Sequence, residues 1–290
     1  MHTLENDVLK ISISEHGAEV QSIYNKRNNR EYLWQGDETY WNRRSPILFP
    51  IVGKLANNTY YVKGKDYHLT QHGFARDMNF EVVEKRGDYV KFKLKANEQT
   101  MLFYPYNFKL TVSYRLEENK LTTKFKVYNN SSELMYFSIG AHPAFNTNLS
   151  EKGIEDYYLD FEKEKTLKSK VVDKEVNLIT NEETLVMENQ DKLNLRNAMF
   201  EDNTLIFENI DKVTLKNNIN DEEVKLTCHN FPLLGLWTRK KEDKCPYICI
   251  EPWYGIADYV GGPREISDKA YIQSVIPDDK FVSKYTIEIK

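Results

Sequence analysis

One histidine and one glutamate of this 290-residue chain stand immediately before a proline. His142 precedes Pro143 in the segment Gly-Ala-His-Pro-Ala-Phe, and Glu251 precedes Pro252 in Cys-Ile-Glu-Pro-Trp-Tyr. Proline fixes its own φ and pushes the preceding residue out of the helical region into extended geometry. Each side chain therefore leaves a stiffened backbone, which would hold a proton donor and a proton acceptor in place. The pattern predicts general acid and base chemistry on a small substrate.

A third segment supplies a second imidazole. His72 precedes Gly73 in Gln-His-Gly-Phe-Ala-Arg-Asp, and the missing glycine side chain lets another group come close. Apolar runs lead into both proline motifs, so we expect buried strands to present His142 and Glu251. The alternatives are structural: a histidine satisfied within the core, and a glutamate in a salt bridge, because burying an unpaired carboxylate would be costly.

Other classes of chemistry lack their sequence motifs. The chain has no Gly-x-Gly-x-x-Gly or Walker-type loop and no Gly-x-Ser-x-Gly elbow, which argues against dinucleotide, nucleotide and serine-hydrolase chemistry. His72, His142 and Glu251 match the inventory of a facial metal triad, but such sites usually draw two ligands from closely spaced positions. Glu251 has no second carboxylate in an equally constrained setting, which disfavours glycoside hydrolysis.

Composition and charge indicate a globular protein without an electrostatic partner. The residues are 40% hydrophobic and 29% charged, and 40 basic residues are scattered among 44 acidic ones for a net charge of −4. This balance argues against nucleic acid or an anionic membrane as partner. A chain of this length can still be one all-β domain, so we expect a single domain over residues 1–290. Its N-terminus resembles no signal peptide, and we expect a cytoplasmic location without a membrane span.

The cysteines form an odd set. Cys228, Cys245 and Cys249 lack the paired Cys-x-x-Cys spacing of a structural zinc site. We therefore expect reduced thiols packed in the core and no metal.

The dominant hydrophobic period is two, which predicts β-strands. Apolar and polar residues alternate over residues 108–116 and again over 121–127 after a polar turn, so these two runs predict a hairpin. Two further hairpins are predicted over residues 60–69 and 80–94. This repetition favours an all-β fold, a large antiparallel β-sandwich with few short helices.

Helical signals are sparse. Short helices are predicted over residues 97–103, before a Tyr-Pro step, and over 181–187. The charged, Asn-rich stretch of residues 150–221 lacks a clear period, and we expect it to connect strands over the surface.

Four separated segments occur along the chain in this order: Arg-Ser-Pro-Ile-Leu-Phe-Pro-Ile-Val-Gly-Lys at 44–54, Gln-His-Gly-Phe-Ala-Arg-Asp at 71–77, Ile-Gly-Ala-His-Pro-Ala-Phe at 139–145, and Glu-Pro-Trp at 251–253. Together they resemble the aldose 1-epimerase (galactose mutarotase) superfamily, and more narrowly its LacX-type branch. Several motifs that match together are far more specific than any one of them. The fold implied by the resemblance, a large antiparallel β-sandwich with a sugar cleft on one sheet, agrees with the period of two.

The resemblance implies a reaction and its residues. In such mutarotases a glutamate removes the proton of the anomeric hydroxyl while a histidine protonates the ring oxygen, and the opened ring recloses as the other anomer. By this resemblance Glu251 is the base, His142 the acid and His72 a sugar-binding residue, with no cofactor or metal required. The division needs Glu251 ionised and His142 protonated at the start, and we expect the carboxylate to favour the imidazolium.

The resemblance implies a hexose or a hexose phosphate as substrate. Where galactose mutarotases carry an arginine in a Val-Ala-Asn-Arg-like stretch, this chain reads Leu-Ala-Asn-Asn at 55–58, which argues against galactose itself. Arg44, Lys54 and Arg76 lie near the matching motifs, and basic residues suit phosphate recognition; the alternative is that they pair with Asp77 or Glu31.

A tryptophan of the last motif completes the sequence-based site. Trp253 is predicted to stack on a sugar face, the alternative being core packing. The rival to an isomerase is a non-catalytic carbohydrate-binding or sugar-sensing protein on the same scaffold, because sites rather than scaffolds carry activity.

Overall fold

Antiparallel strands dominate the protein. The computed structural model describes residues 1–147, 152–200, 204–239 and 246–290. The strands are β1 (His2–Glu5), β2 (Leu9–Ile13), β3 (Val20–Asn25), β4 (Arg30–Glu31), β5 (Ile47–Leu48), β6 (Thr59–Val62), β7 (Lys65–His68), β8 (Glu81–Arg86), β9 (Tyr89–Lys95), β10 (Phe108–Glu117), β11 (Lys120–Asn129), β12 (Met135–Phe137), β13 (Ile139–Ala141), β14 (Ala144–Asn146), β15 (Tyr157–Asp173), β16 (Leu178–Asn194), β17 (Leu205–Glu208), β18 (Lys212–Asn217), β19 (Glu223–Thr227), β20 (Leu233–Trp237), β21 (Tyr247–Tyr254), β22 (Gln273–Val275) and β23 (Lys280–Ile289). The helical segments are α1 (Glu98–Phe103) and the 3-10 turns Ala56–Asn58, Ala75–Asp77, Gly153–Asp156, Asn197–Phe200 and Ile266–Asp268.

Nine strands form the largest sheet, in the order β16-β15-β18-β19-β23-β11-β10-β9-β8. The predicted hairpin over 108–127 is confirmed as β10 and β11, which pair from Phe108 opposite Asn129 to Glu117 opposite Lys120. The other two predicted hairpins are β6 with β7 and β8 with β9. Alternate residues of β10 are buried, because successive side chains of a strand point to opposite faces.

A six-stranded sheet lies against this one and carries the functional residues. Its order is β17-β20-β21-β13-β5, with β14 also paired to β21, and a separate four-stranded sheet runs β1-β2-β3-β4. One continuous hydrophobic cluster joins the sheets, since it contains Val112 and Phe125 of the nine-stranded sheet, Ile139 and Ile250 of the six-stranded sheet, and Ile11 of the four-stranded sheet. The predicted all-β sandwich is therefore confirmed.

One short helix follows the prediction over residues 97–103. Asn97 caps α1: its side chain accepts from the backbone N–H of Thr100, and the Thr100 hydroxyl accepts from the N–H of Asn97. Such reciprocal bonds satisfy donors that a helix start leaves unpaired. No helix among the described residues is long and apolar enough to cross a membrane.

The second predicted helix and the predicted surface connection are wrong. Residues 181–187 lie within β16, and nearly half of the stretch 150–221 forms β15 and β16, two 17-residue strands that pair with each other. Most side chains of β16 are exposed, so its positions do not require alternating apolar residues. The backbone ladder to β15 holds the strand where no hydrophobic period marks it.

Candidate active site

The two proline motifs meet on neighbouring strands of the six-stranded sheet. β13 and β14 both pair with β21, with Gly140 opposite Trp253 and Ala144 opposite Cys249. The register is the same on both sides of the interruption between β13 and β14, and it places His142 directly opposite Glu251. Prolines have no N–H to donate to a ladder, so the backbone pairing breaks at the point where the two ionisable side chains face each other.

The imidazole and the carboxyl group are in contact. Nε2 of His142 lies 3.1 Å from Oε2 of Glu251, with side-chain exposures of 8% and 1%. Both residues line a cleft of about 720 Å³, a size suited to a small ligand. The described residues that line it are Trp41, Gly53, Lys54, Gln71, His72, Arg76, His142, Val172, Lys174, Asn177, Ile179, Phe200, Thr204, Ile206, Trp237, Thr238, Arg239, Glu251, Trp253, Ile256 and Ala257.

Aromatic rings hold the His142 imidazole on three sides. Trp41 stacks on it with ring centroids 4.8 Å apart, while Trp237 and His72 meet it edge-on at 5.7 Å each. Such packing fixes the ring plane, so Nε2 stays directed at Glu251.

The backbone fixes the tautomer of His72. The N–H of Gly53 donates to Nδ1 of His72 at 3.1 Å, and the N–H of His72 donates to the carbonyl of Gly53 at 2.9 Å. Since Nδ1 accepts, the proton of the neutral ring is on Nε2. The group that comes close to Gly73 is the backbone of Phe49, whose carbonyl oxygen would lie 2.4 Å from an added Cβ, so only glycine fits there.

Burial governs the protonation of His142, Glu251 and His72. Desolvation, with Arg76 and Arg43 nearby, lowers the pKa of His142 to about 3. Desolvation also raises the pKa of Glu251 well above 4.5 and lowers that of His72 well below 6.5. The neutral form of each group is thus favoured in the unliganded cleft. In the empty site, burial therefore disfavours the ion pair between Glu251 and His142 that we expected from the sequence.

These pKa directions predict how stability depends on pH. Burial raises the pKa of Glu251 above its unfolded value of 4.5, so the folded state keeps this proton after the unfolded chain has lost it, and stability falls as pH rises from 4.5 through the folded pKa. His142 and His72 act in the opposite direction, because burial lowers the pKa of both rings: below pH 6.5 the unfolded chain takes up protons that the folded state does not, so stability also falls as pH drops through this range. We expect Glu251→Gln to remove this loss of stability with rising pH. The loss amounts to about 1.4 kcal/mol per pH unit while the folded carboxyl stays protonated.

Urea unfolding between pH 6 and 9 measures this effect. The difference in unfolding free energy between Glu251→Gln and the unsubstituted protein should widen as pH rises. Glu288→Gln, on β23 of the nine-stranded sheet, is the matched control and should run parallel to the unsubstituted protein. A constant gap for Glu251→Gln would contradict the assigned protonation.

Trp253 is packed by two glycines. A Cβ on Gly140 or Gly235 would lie 2.7 or 2.5 Å from its indole ring, so the ring spreads across both neighbouring strands. Trp253 is 5% exposed and lines the cleft two residues along β21 from Glu251. It therefore serves in packing while presenting an edge to the cleft.

The predicted cations separate into two groups. Arg76 and Lys54 line the cleft: Arg76 donates to the carbonyl of Gln71 at 2.6 Å and lies 3.7 Å from Asp77. Arg44 is not among the residues that line it. Its guanidinium donates to the carbonyls of Gln21 and Gln35, because the loop around it leaves backbone acceptors that need a donor.

Several residues of the cleft were missed by sequence reasoning. Trp41 lies outside the matched motifs, and Lys174, Asn177 and Arg239 lie in or after the stretch that showed no clear period. Trp41 stands three residues before the first motif, and that proximity is the one signal that could have found it.

Two residues of the cleft and one buried neighbour form a set of three possible metal ligands. His142, Cys249 and Glu251 each offer one ligand atom, and these atoms lie within 4.8 Å of one another. Burial raises the pKa of the Cys249 thiol well above 9.0, so a metal would have to displace its proton. Cys228 and Cys249 are free and buried, while Cys245 lies outside the described residues.

Known proteins match this chain along most of its length. The profile of the aldose 1-epimerase family matches residues 1–258. Chromosomal LacX of Lactococcus lactis subsp. lactis is 32% identical over 296 residues, covering 99% of this chain and 98% of that protein. The crystal structure of a galactose mutarotase related enzyme from Lactobacillus acidophilus has a TM-score of 0.93 at 35% identity, covering 100% of this chain and 97% of that one. A galactose mutarotase-like protein from Lactobacillus casei ATCC 334 has a TM-score of 0.94 at 33% identity, with both chains fully covered.

Proposed function

Because the chain belongs to the aldose 1-epimerase family, we propose that it interconverts the α and β anomers of a hexose or hexose phosphate. The contact between His142 and Glu251 at the floor of the cleft carries this proposal. The anomeric hydroxyl and the ring oxygen of a pyranose are bonded to the same carbon. Two groups 3.1 Å apart can therefore each reach one of these oxygens at the same edge of the sugar.

Ring opening moves two protons. The Glu251 carboxylate takes the proton of the anomeric hydroxyl, and Nε2 of His142 gives a proton to the ring oxygen as the bond from that oxygen to the anomeric carbon breaks. The product is an open-chain aldehyde beside a protonated Glu251 and a neutral His142. Rotation of the aldehyde and reversal of both transfers give the other anomer, and no net proton is gained or lost.

The neutral pair of the empty cleft fits this cycle. The neutral pair and the ion pair of Glu251 and His142 carry the same number of protons. They differ in whether one proton is on the carboxyl group of Glu251 or on Nε2 of His142, two groups that lie 3.1 Å apart. Both carboxylate oxygens of Glu251 are buried, and neither accepts a well-oriented hydrogen bond among the described residues, although Oε2 lies close to Nε2 of His142. Sugar hydroxyls that donate to them would stabilise the ionised form, so substrate binding itself would create the base and the acid.

His72 complements the pair as a neutral donor. Its Nδ1 accepts from Gly53, which leaves the Nε2–H for an oxygen of the sugar. The low pKa of its ring keeps it from competing for the proton that Glu251 and His142 exchange. Its role is to bind the sugar and polarise the reacting centre.

The charge of the cleft favours a hexose that carries a phosphate. Lys54, Arg76, Lys174 and Arg239 line it, and Glu251 is the acidic residue among the described residues that do so. Desolvation and the neighbouring Arg43 lower the pKa of Arg76 to about 10, and the negative charges of Asp77 and Glu19 offset this shift only in part, so a further negative charge beside Arg76 would be stabilising. A bound phosphate would supply that charge.

Removing the guanidinium of Arg76 should weaken the preference for phosphate. In Arg76→Met we expect kcat/KM for a hexose 6-phosphate to fall about 10- to 100-fold while that for the free hexose changes little, because a charge-assisted hydrogen bond contributes about 1.5–3 kcal/mol. Arg115→Met, which removes an arginine paired with Asp88 in the nine-stranded sheet, is the matched control. Equal losses on both substrates would contradict phosphate recognition by Arg76.

Exchange NMR on freshly dissolved α-anomers, free and 6-phosphorylated, tests the function. Faster equilibration of at least one sugar is the expected result. Saturable sugar binding without any acceleration would instead favour the rival, a non-catalytic carbohydrate-binding protein.

A further inference from the structure

A buried ion pair lies behind one wall of the cleft. Nζ of Lys269 is 2.5 Å from Oδ1 of Asp258, and the two side chains are 1% and 0% exposed. Neither residue lines the cleft, and the proton transfers do not use them. A buried charge pair is costly unless its remaining hydrogen-bonding capacity is used, so its other partners indicate its role.

The pair joins two segments that form the wall. Oδ2 of Asp258 accepts from the backbone N–H of Ala56 at 2.9 Å, and the N–H of Asp258 donates to the carbonyl of Lys54 at 2.8 Å. Lys269 also donates to the carbonyl of Ile256 at 3.3 Å. Since Lys54 and Ile256 line the cleft, the ion pair fixes the spacing of these two segments.

The backbone of Asp258 also docks the hairpin tip, which we define as residues 172–179, from the end of β15 to the start of β16. The N–H of Ile179 donates to the carbonyl of Asp258, and the N–H of Val260 donates to the carbonyl of Ile179, both at 2.8 Å. Ile179 and Tyr259 thus form a short parallel bridge. It attaches the nine-stranded sheet, through β16, to the wall of the cleft.

The hairpin tip brings polar groups to the cleft. Lys174 and Asn177 line it, and Nζ of Lys54 donates to the carbonyl of Val176 at 2.9 Å, a second attachment of the tip. The proton-transfer pair is held separately, because the β21 ladder fixes His142 and Glu251.

We propose that Asp258 and Lys269 are positioning residues that hold the hairpin tip over the cleft and thereby set the affinity for substrate through Lys174 and Asn177. The substrate in this inference rests on the proposed function; the docking of the tip does not. Losing the pair should raise KM and leave kcat nearly unchanged, a split that a merely structural role would not produce.

Lys269→Met tests the inference, since it removes the charge and keeps an apolar side chain of similar length. Lys216→Met is the matched control, because Lys216 pairs with Asp160 and Glu223 at 3.0 Å within the nine-stranded sheet and does not line the cleft. Amide hydrogen exchange at Ile179 and Val260 reports docking directly, and steady-state kinetics report affinity.

In Lys269→Met we expect exchange at these two amides to accelerate about tenfold or more and KM to rise about tenfold, with kcat within about twofold. Lys216→Met should leave all four quantities unchanged. Unchanged exchange in Lys269→Met would overturn the docking, and faster exchange with unchanged KM would overturn the effect on affinity.

Two further outcomes are also decisive. If Lys269→Met does not fold because Asp258 is left buried with the Arg264 guanidinium 4.0 Å away, the double variant with Asp258→Asn removes both charges of the pair and is subject to the same expectations. If the unsubstituted protein turns over no sugar, the proposed function fails, while amide exchange still decides whether the pair docks the hairpin tip.

Discussion

Glu251→Gln is expected to lower kcat about 10²- to 10⁴-fold, because a positioned general base contributes about that much. The amide keeps the size of the carboxyl group but cannot take the anomeric proton. This loss corresponds to about 2.7–5.4 kcal/mol of transition-state stabilisation. KM should change little, since the amide can still exchange hydrogen bonds with the sugar hydroxyls.

The contrast between activity and stability makes this variant informative. Glu251 is 1% exposed, and its carboxyl group has a close polar contact, Oε2 to Nε2 of His142 at 3.1 Å, so its removal should stabilise the fold at alkaline pH while it abolishes most of the activity. Glu288→Gln should alter neither property. Full activity in Glu251→Gln, measured by exchange NMR of the anomers, would end the assignment of Glu251 as the base.

His142→Asn is expected to lower kcat to a similar extent, about 10²- to 10⁴-fold. Asparagine retains a polar group but cannot carry the proton that the ring oxygen requires. His229→Asn is the matched control, since His229 is exposed and lies apart from the cleft lining. Circular dichroism should show that loss of the Trp41 stack on His142 leaves the fold intact.

The double variant of Glu251→Gln with His142→Asn separates a concerted pair from two independent groups. Both transfers belong to one ring opening, so removing the second group should cost little after the first is lost. Two full, additive losses would show that each group acts without the other.

The hairpins illustrate what local pattern can predict. β10 and β11 alternate strictly because one face of each is buried, so the sequence carries their period and their turn. Most side chains of β16 are exposed, and those of β15 are mostly exposed over residues 162–168. In these parts the backbone bonds between the two strands replace side-chain burial. Their positions could not be read from hydrophobicity, and Lys174 and Asn177 of the cleft were missed with them.

The sequence by itself determined the strand-rich fold class, the family motifs and the two residues proposed as proton donor and acceptor, because period, proline and glycine act on the local backbone. Only the tertiary structure decided that one register sets His142 opposite Glu251, that burial favours their neutral forms, and that Arg44 binds backbone carbonyls outside the cleft. Contact and desolvation depend on residues far apart in the chain, which no local pattern specifies.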